Sequence, residues 1–314
     1  MIKILYPISV IYRLGVHCRN LLYKLQILKS QTFPIPVISI GNITIGGTGK
    51  TPMSLWLFNQ LTLKKKKPCI ISRGYNRTSN QLIIINGNNQ WTVQDIGDEP
   101  FMMLQKNKDI KMVISNNKIQ SIKSAINSLD VDVIILDDGF QSRYIHRQAD
   151  IVMFNANEKK KYNYLFPVGR LREPIANLKR ADIMITNHEK IGSEIKYLCR
   201  KNHIPIFITQ QNVQLIDKNN QPISRYDDLR VIAVCGIANP HSFFECILNY
   251  DIQIYEKYVV RDHYQYTKQD MKNIYKKMTN QNCNTILTTW KDYHKIHLLN
   301  VKKKKIIILD MNLK

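Results

Sequence analysis

The sequence lacks any C-x-x-C pair: its six cysteines, Cys18, Cys69, Cys199, Cys235, Cys246 and Cys283, are scattered. That spacing argues against zinc-ribbon and dithiol redox chemistry and predicts reduced, mostly buried thiols in a cytosolic compartment. A membrane-spanning run is also missing. The apolar stretch from Ile4 to Tyr12 is too short to cross a bilayer, and no small-residue cleavage site follows it, so a secretory signal is not expected. Acidic residues are in short supply, 24 against 46 lysines and arginines, for a net charge of +22. Such a surplus predicts attraction to a polyanion: nucleic acid, anionic lipid head groups or a phosphorylated substrate. The aromatic-basic signature and the zinc spacing of nucleic-acid modules are not found. Part of the surplus lies in lysine runs at 64–67, 159–161 and 302–305, which read as solvated surface.

What is present starts with residues 37–52, VISIGNITIGGTGKTP, an apolar strand that ends in glycines and then Lys-Thr. This is a phosphate loop between a strand and a helix start. Gly46, Gly47 and Gly49 let backbone N–H groups converge on an anion, with Thr44 and Thr48 in the same turn. Lys50 reaches the β/γ-phosphates and the Thr51 hydroxyl suits Mg²⁺. Thr44 stands where the usual first glycine of such a loop would be. A second apolar strand, residues 131–137, ends in Asp137-Asp138. Carboxylates at a strand end opposite a phosphate loop are what a magnesium–nucleotide site requires.

Other polar clusters sit at predicted strand ends. Cys69–Ser72 delivers Arg73-Gly74-Tyr75-Asn76-Arg77, which reads either as a phosphate contact or as a solvent-facing basic loop. Asp98-Glu99 at a loop–helix junction offers either a general base or a helix cap. Arg170 and Arg172 lie in a Pro/Gly-bounded loop, residues 166–174, and suit a phosphate clamp. His263 beside Asp262 is either a functional imidazole or a surface residue.

Short apolar strands alternating with helical stretches predict an α/β fold: a P-loop NTPase-type, largely parallel sheet with helices on both faces, followed by a second, smaller α/β domain. The expected divisions are a basic amphipathic helix at 1–30, either lying in the membrane interface or packed on the protein, a kinase-like core at 31–212, a hairpin linker at 213–230 and the smaller domain at 231–314. A further hairpin is expected from 82–86 and 90–93 around Gly87.

In order, the stretches GNITIGGTGKTP, SRGYNR, GDEP, ILDDGFQ, FPVGRLREP, VCGIANPHSFF and DHYQYT resemble those of the tetraacyldisaccharide 4'-kinases of lipid A biosynthesis, from about residue 5 to residue 292. That family's loop also carries threonine at the position of Thr44. The resemblance implies transfer of the ATP γ-phosphoryl group to the 4'-hydroxyl of a lipid-linked glucosamine disaccharide 1-phosphate. Lys50 would stabilise the phosphates, Thr51 with Asp137 or Asp138 would hold Mg²⁺, and Asp98 assisted by His263 would accept the hydroxyl proton. Arg170, Arg172 and Arg73 would meet transition-state charge or the 1-phosphate. It also implies two domains that close over the substrates, and work at an anionic membrane, peripherally, on the cytoplasmic face of the bacterial inner membrane, with no nucleic-acid partner. The sequence departs from the family at Asn76, Ser142, Arg261 and Trp290. The contrasting possibility, prompted by the charge, is a nucleic-acid-associated P-loop NTPase.

Overall fold

The computed structural model describes residues 2–75, 77–87, 90–155, 164–188, 191–226, 228–237, 239–262, 264–300, 302 and 304–313. The chain divides into two compact units, residues 1–210 and 211–312.

The first unit opens with helix α1 (Ile2–Lys24), then alternates β1 (Val37–Gly41), α2 (Lys50–Leu63), β2 (Pro68–Ser72), β3 (Ile83–Asn86), α3 (Val93–Ile96), α4 (Asp98–Lys106), β4 (Lys111–Ile114), α5 (Lys118–Ser128), β5 (Val133–Asp137), β6 (Ala149–Phe154), β7 (Ile183–Thr186), α6 (Ser193–Lys201) and β8 (Ile206–Ile208). The strands form one eight-stranded sheet in the order β3-β4-β2-β5-β1-β6-β7-β8. Neighbouring strands run parallel throughout, except β3 with β4. β1 and β5 are buried almost throughout, as strands covered on both faces must be. Successive side chains alternate between those faces: Ile135 joins Met53, Phe58 and Met103 on one side, while Ile134 and Leu136 join Ile122 and Ala125 on the other. The chain leaves β1 toward β2 on one side, and β6 flanks it on the other. The carboxyl end of β1 therefore lies at a switch point, where α/β sheets form their binding crevice.

The hairpin expected at 82–93 does not form. β3 pairs antiparallel with β4 instead, and residues 93–96 are helical, because Thr92 and Asp95 form a capping box. The cap overrides the strand preference of Thr92 and Val93.

The second unit comprises β9 (Gln211–Ile216), β10 (Val231–Cys235), α7 (Pro240–Leu248), β11 (Ile254–Val259), α8 (Lys268–Asn280), β12 (Thr285–Thr289), α9 (Trp290–His297) and β13 (Lys305–Leu313). Its sheet runs β11-β10-β12-β13-β9. Val231, Ala233 and Cys235 pack with Phe243 and Ile247 on one face; Ile232 and Val234 pack with Met271 and Ile274 on the other. β9, which takes in residues 213–216 at the start of the stretch expected as a linker, is an edge strand of this sheet. All six cysteines are unpaired, and Cys69, Cys199, Cys235 and Cys283 are buried.

Candidate active site

The loop between β1 and α2 has the backbone that an anion cradle requires. Gly49 precedes α2 at φ 83° and Gly46 lies at φ 119°, both in the left-handed region that a side chain strains. The loop is held from beneath by Asn42, which is fully buried: its Nδ2 donates to Thr48 Oγ1 at 2.9 Å, and its carbonyl accepts from Gln141 Nε2 at 2.8 Å. From above it is sealed by the arginine loop. Thr44 and Leu171 form an antiparallel bridge, Ile45 N donates to the Arg170 carbonyl and Arg172 N donates to that of Ile43, both at 2.7 Å. Arg170 lies over Gly46, where a Cβ would meet its guanidinium at 3.9 Å.

Lys50 and the two aspartates where β5 ends, Asp137 and Asp138, meet at the carboxyl ends of β1 and β5. Lys50 Nζ is 3.8 Å from Asp138 Oδ1, and Arg172 Nη1 is 2.8 Å from both Asp138 oxygens. Burial alone would raise the Asp138 carboxyl, but Lys50 and Arg172 beside it bring it below the usual carboxylate range. Asp137 differs. It is buried and accepts from Ser54 Oγ at 3.1 Å and Ser72 Oγ at 3.5 Å. Burial, with Glu99 and Asp138 nearby, pushes it up to about 7. Thr51, in the first turn of α2, is also buried. Beneath the pair lies Lys118, fully buried, whose Nζ donates to the carbonyls of Asp137 at 3.0 Å and Asp138 at 2.6 Å. Burial pushes its ammonium down to about 8, against the pull of Asp138.

Asp98 is buried in the first turn of α4. A close backbone approach sets its position: Gly97 has φ 88°, and a Cβ there would meet the Tyr75 carbonyl oxygen at 2.6 Å. The Gly-Asp-Glu-Pro turn and the Arg-Gly-Tyr loop after β2 are therefore packed together. The two arginines of that loop part company. Arg77 Nη1 donates to the carbonyls of Gln81 at 2.6 Å and Ile114 at 3.4 Å, fastening the loop. Arg73 is exposed and lines a cavity of ≈ 280 Å³ with Arg19, Asp138, Gln141 and Arg172.

Helix α1 docks on the first unit through its polar side. Ser9 Oγ donates to the Leu165 carbonyl, Tyr12 Oη to that of Arg172, and Asn20 Nδ2 to Glu173; Arg143 covers the Tyr23 ring. With buried Val16 these positions form one stripe at helical spacing. The opposite stripe, Ile8, Ile11, Leu14, Leu21 and Leu25, is exposed, Ile11 to 69%. Of the tyrosines, Tyr12 therefore faces the protein and Tyr6 the solvent.

In the second unit, strand ends are tied by Asp292, which is fully buried and accepts from Gly236 N and Thr289 Oγ1, both at 2.8 Å. Asp262 pairs with Lys291 at 2.6 Å, and Trp290 is buried and stacked on His294. His263 and Asn76 lie outside the described residues.

A family model described as Tetraacyldisaccharide-1-P 4'-kinase matches residues 1–314. This chain belongs to that kinase family. It is similar to the tetraacyldisaccharide 4'-kinase of Aquifex aeolicus, 31% identical over 308 residues that cover 96% of this chain and 93% of the relative. To the enzyme of the same name from Wigglesworthia glossinidia brevipalpis it is 35% identical over 286 residues, covering 90% and 74%. Among solved structures it resembles the "apo" form of LpxK from Aquifex aeolicus in complex with ATP, with a TM-score of 0.79 and 29% identity over 100% of this chain and 94% of that one.

In this kinase the structure brings Lys50, Thr51, Asp137, Asp138, Arg170 and Arg172 to one end of the sheet, with Thr44 and Gly46–Gly49 forming the loop between them. Three contributors were missed by sequence reasoning. Asn42 passes unremarked inside the 37–52 run, Lys118 carries no sequence reading, and Arg19 is only one basic residue of the expected helix at 1–30. A lysine at a helix start carries no local sign of burial.

Proposed function

We propose that this chain transfers the γ-phosphoryl group of ATP to the 4'-hydroxyl of a tetraacylated glucosamine disaccharide 1-phosphate. The observation that carries the reading is the charge network in which Lys50 and Arg172 share Asp138 beside the glycine turn, in a chain of this family. Backbone N–H groups of residues 46–51 and Lys50 take the phosphates, and Arg170 and Arg172 meet the charge that spreads over the transferring group. The donors at Thr51, Asp137 and Asp138 are all oxygens, the set a hard cation takes. They fit Mg²⁺, which when bound neutralises phosphate charge. Asp98 accepts the proton of the attacking hydroxyl as the new P–O bond forms and ADP departs. His263, assigned from the Asp-His motif alone, is the assisting imidazole.

The substrate is lipid-linked, and α1 suits an anionic membrane surface at the cytoplasmic face of the inner membrane. Among the described residues no helix is long and apolar enough to cross a membrane. α1 turns polar groups to the protein and apolar ones outward, which is the arrangement of a helix seated in the interface.

The test is transfer of label from γ-labelled ATP to purified tetraacyldisaccharide 1-phosphate in mixed micelles, with Mg²⁺ present or chelated. Mg²⁺-dependent labelling of the lipid is expected. Unlabelled lipid together with RNA-stimulated ATP hydrolysis would overturn the reading in favour of a nucleic-acid-associated NTPase.

A further inference from the structure

The segment that follows β11 is tied down on both sides of residue 263. On the amino side, Val260 N donates to the Cys235 carbonyl at 3.0 Å. Arg261 lies so close to the end of β10 that a Cβ on Gly236 would meet its carbonyl oxygen at 3.1 Å. Asp262 then pairs with Lys291 Nζ at 2.6 Å. On the carboxyl side, Tyr264 N donates to the Arg261 carbonyl and Tyr264 Oη to the Asp270 carboxylate, both at 3.2 Å. The Tyr264 ring meets the buried Tyr266 ring edge to face, with centroids 5.5 Å apart. The two neighbours of residue 263 are thus fixed by different helices, Asp262 by α9 and Tyr264 by α8.

Lys291 is placed against the electrostatics of its own helix. It lies in the first turn of α9, where the macrodipole favours carboxylates and disfavours cations. Its side chain is 17% exposed and that of Asp262 34%, and a pair this open to solvent adds little to folding stability. What the pair does provide is a fixed bearing for the residue next to 263. The platform under it is rigid, because the adjoining Asp292 is fully buried and binds Gly236 N and Thr289 Oγ1. Asp270, by contrast, has a structural task of its own, closing the capping box of α8 with Thr267 and accepting from Tyr258 Oη.

We propose that Lys291 is a positioning residue for the transfer: its ion pair with Asp262 orients the backbone that carries His263, the assisting imidazole. The inference rests on the role given to His263 above and deepens it. A proton acceptor must stand within hydrogen-bond reach of the proton it takes, and a displacement of about 1 Å costs on the order of a hundredfold. Lys291 acts through the loop, not on the substrates.

Steady-state transfer from γ-labelled ATP to tetraacyldisaccharide 1-phosphate is compared among the wild type, Lys291→Met, His263→Ala and the double variant, with thermal unfolding of each. Lys291→Met should lower kcat by roughly tenfold to a hundredfold, the scale of a misplaced reacting group. The KM of ATP should stay within about twofold of wild type, with an unfolding midpoint close to it. Lys291→Arg should recover much of the loss. In the His263→Ala background, Lys291→Met should change kcat by less than about twofold, because the two residues act as one unit. Asp262→Asn, which leaves Lys291 in place, should match Lys291→Met and keeps the pair testable should that variant not fold. Wild-type kcat in either pair variant, or an equal loss in the His263→Ala background, would overturn the inference while leaving the kinase reading intact. Wild-type turnover in His263→Ala would remove the imidazole from the reaction and this inference with it, whereas a wild type that labels no lipid would refute the kinase reading itself.

Discussion

Replacing Lys118 with methionine tests how the two aspartates are held. The lysine is fully buried and donates to two consecutive backbone carbonyls, at 3.0 and 2.6 Å. Hydrogen bonds from a charged donor contribute about 1.5–3 kcal/mol each, and a stranded buried carbonyl costs about 1–3 kcal/mol. The desolvation that pushes the ammonium down to about 8 is relieved in Lys118→Met, which offsets part of this. A net stability loss of about 1–3 kcal/mol follows. The effect on transfer should exceed the effect on folding. Asp138 sits at φ 53°, a left-handed conformation costing about 1–2 kcal/mol for a side chain other than glycine, and Lys118 braces it there. Freed from the brace, Asp138 can relax away from Lys50 and Arg172. We expect kcat to fall on the order of 10- to 100-fold at saturating ATP, the kinetic equivalent of about 1.4–2.7 kcal/mol. Urea unfolding and steady-state transfer measure the two quantities, and Lys118→Arg should recover much of both. Wild-type turnover in Lys118→Met, with only a lowered unfolding midpoint, would refute the bracing role.

Further perturbations follow from the same geometry. Asp98→Asn should retain ATP binding while transfer falls by roughly 10² to 10⁴-fold, the usual contribution of a general base; unchanged turnover removes Asp98 from that role. Gly97→Ala adds a Cβ 2.6 Å from the Tyr75 carbonyl oxygen at a φ of 88°, so it should destabilise the chain by about 1–3 kcal/mol and lower transfer, both read by thermal unfolding and kinetics. Asp270 accepts from Thr267 N, Thr267 Oγ1 and Tyr258 Oη. Although burial opposes it, these donors hold its carboxyl below the usual range. Its stabilising contribution is thus complete above the ordinary aspartate pKa and is lost as pH falls through the lower folded value. Asp270→Asn should therefore be less stable at neutral pH, with a difference from wild type that shrinks in acid; a constant difference would contradict the assignment.

Local patterns carried much of the fold. The strand–glycine–Lys-Thr run at 37–52 is legible because strand, turn and helix start are contiguous, and the alternation of apolar strands with helices gives the largely parallel sheet of the first unit and the second α/β unit. Long-range pairing is where sequence reading stopped. The antiparallel seal between residues 43–45 and 170–172 joins segments far apart in sequence, and only burial against β5 makes Lys118 different from its neighbours on α5. Residues 90–93 misled because β-branched residues suggest a strand, whereas Thr92 and Asp95 close a capping box. α1 was legible as amphipathic, but which side meets the protein is set by the buried carboxylate of Glu173 and the carbonyls of the arginine loop.

The most direct measurement is single-turnover transfer from γ-labelled ATP to tetraacyldisaccharide 1-phosphate by the wild type and Lys50→Ala side by side, with the position of the new phosphate determined by NMR. Label at the 4'-oxygen in the wild type, and nearly none in Lys50→Ala, is the expected result. Equal transfer by both proteins, or phosphate on any other oxygen, would contradict the assignment of residues 46–51, Asp138 and Arg172 as the transferring site.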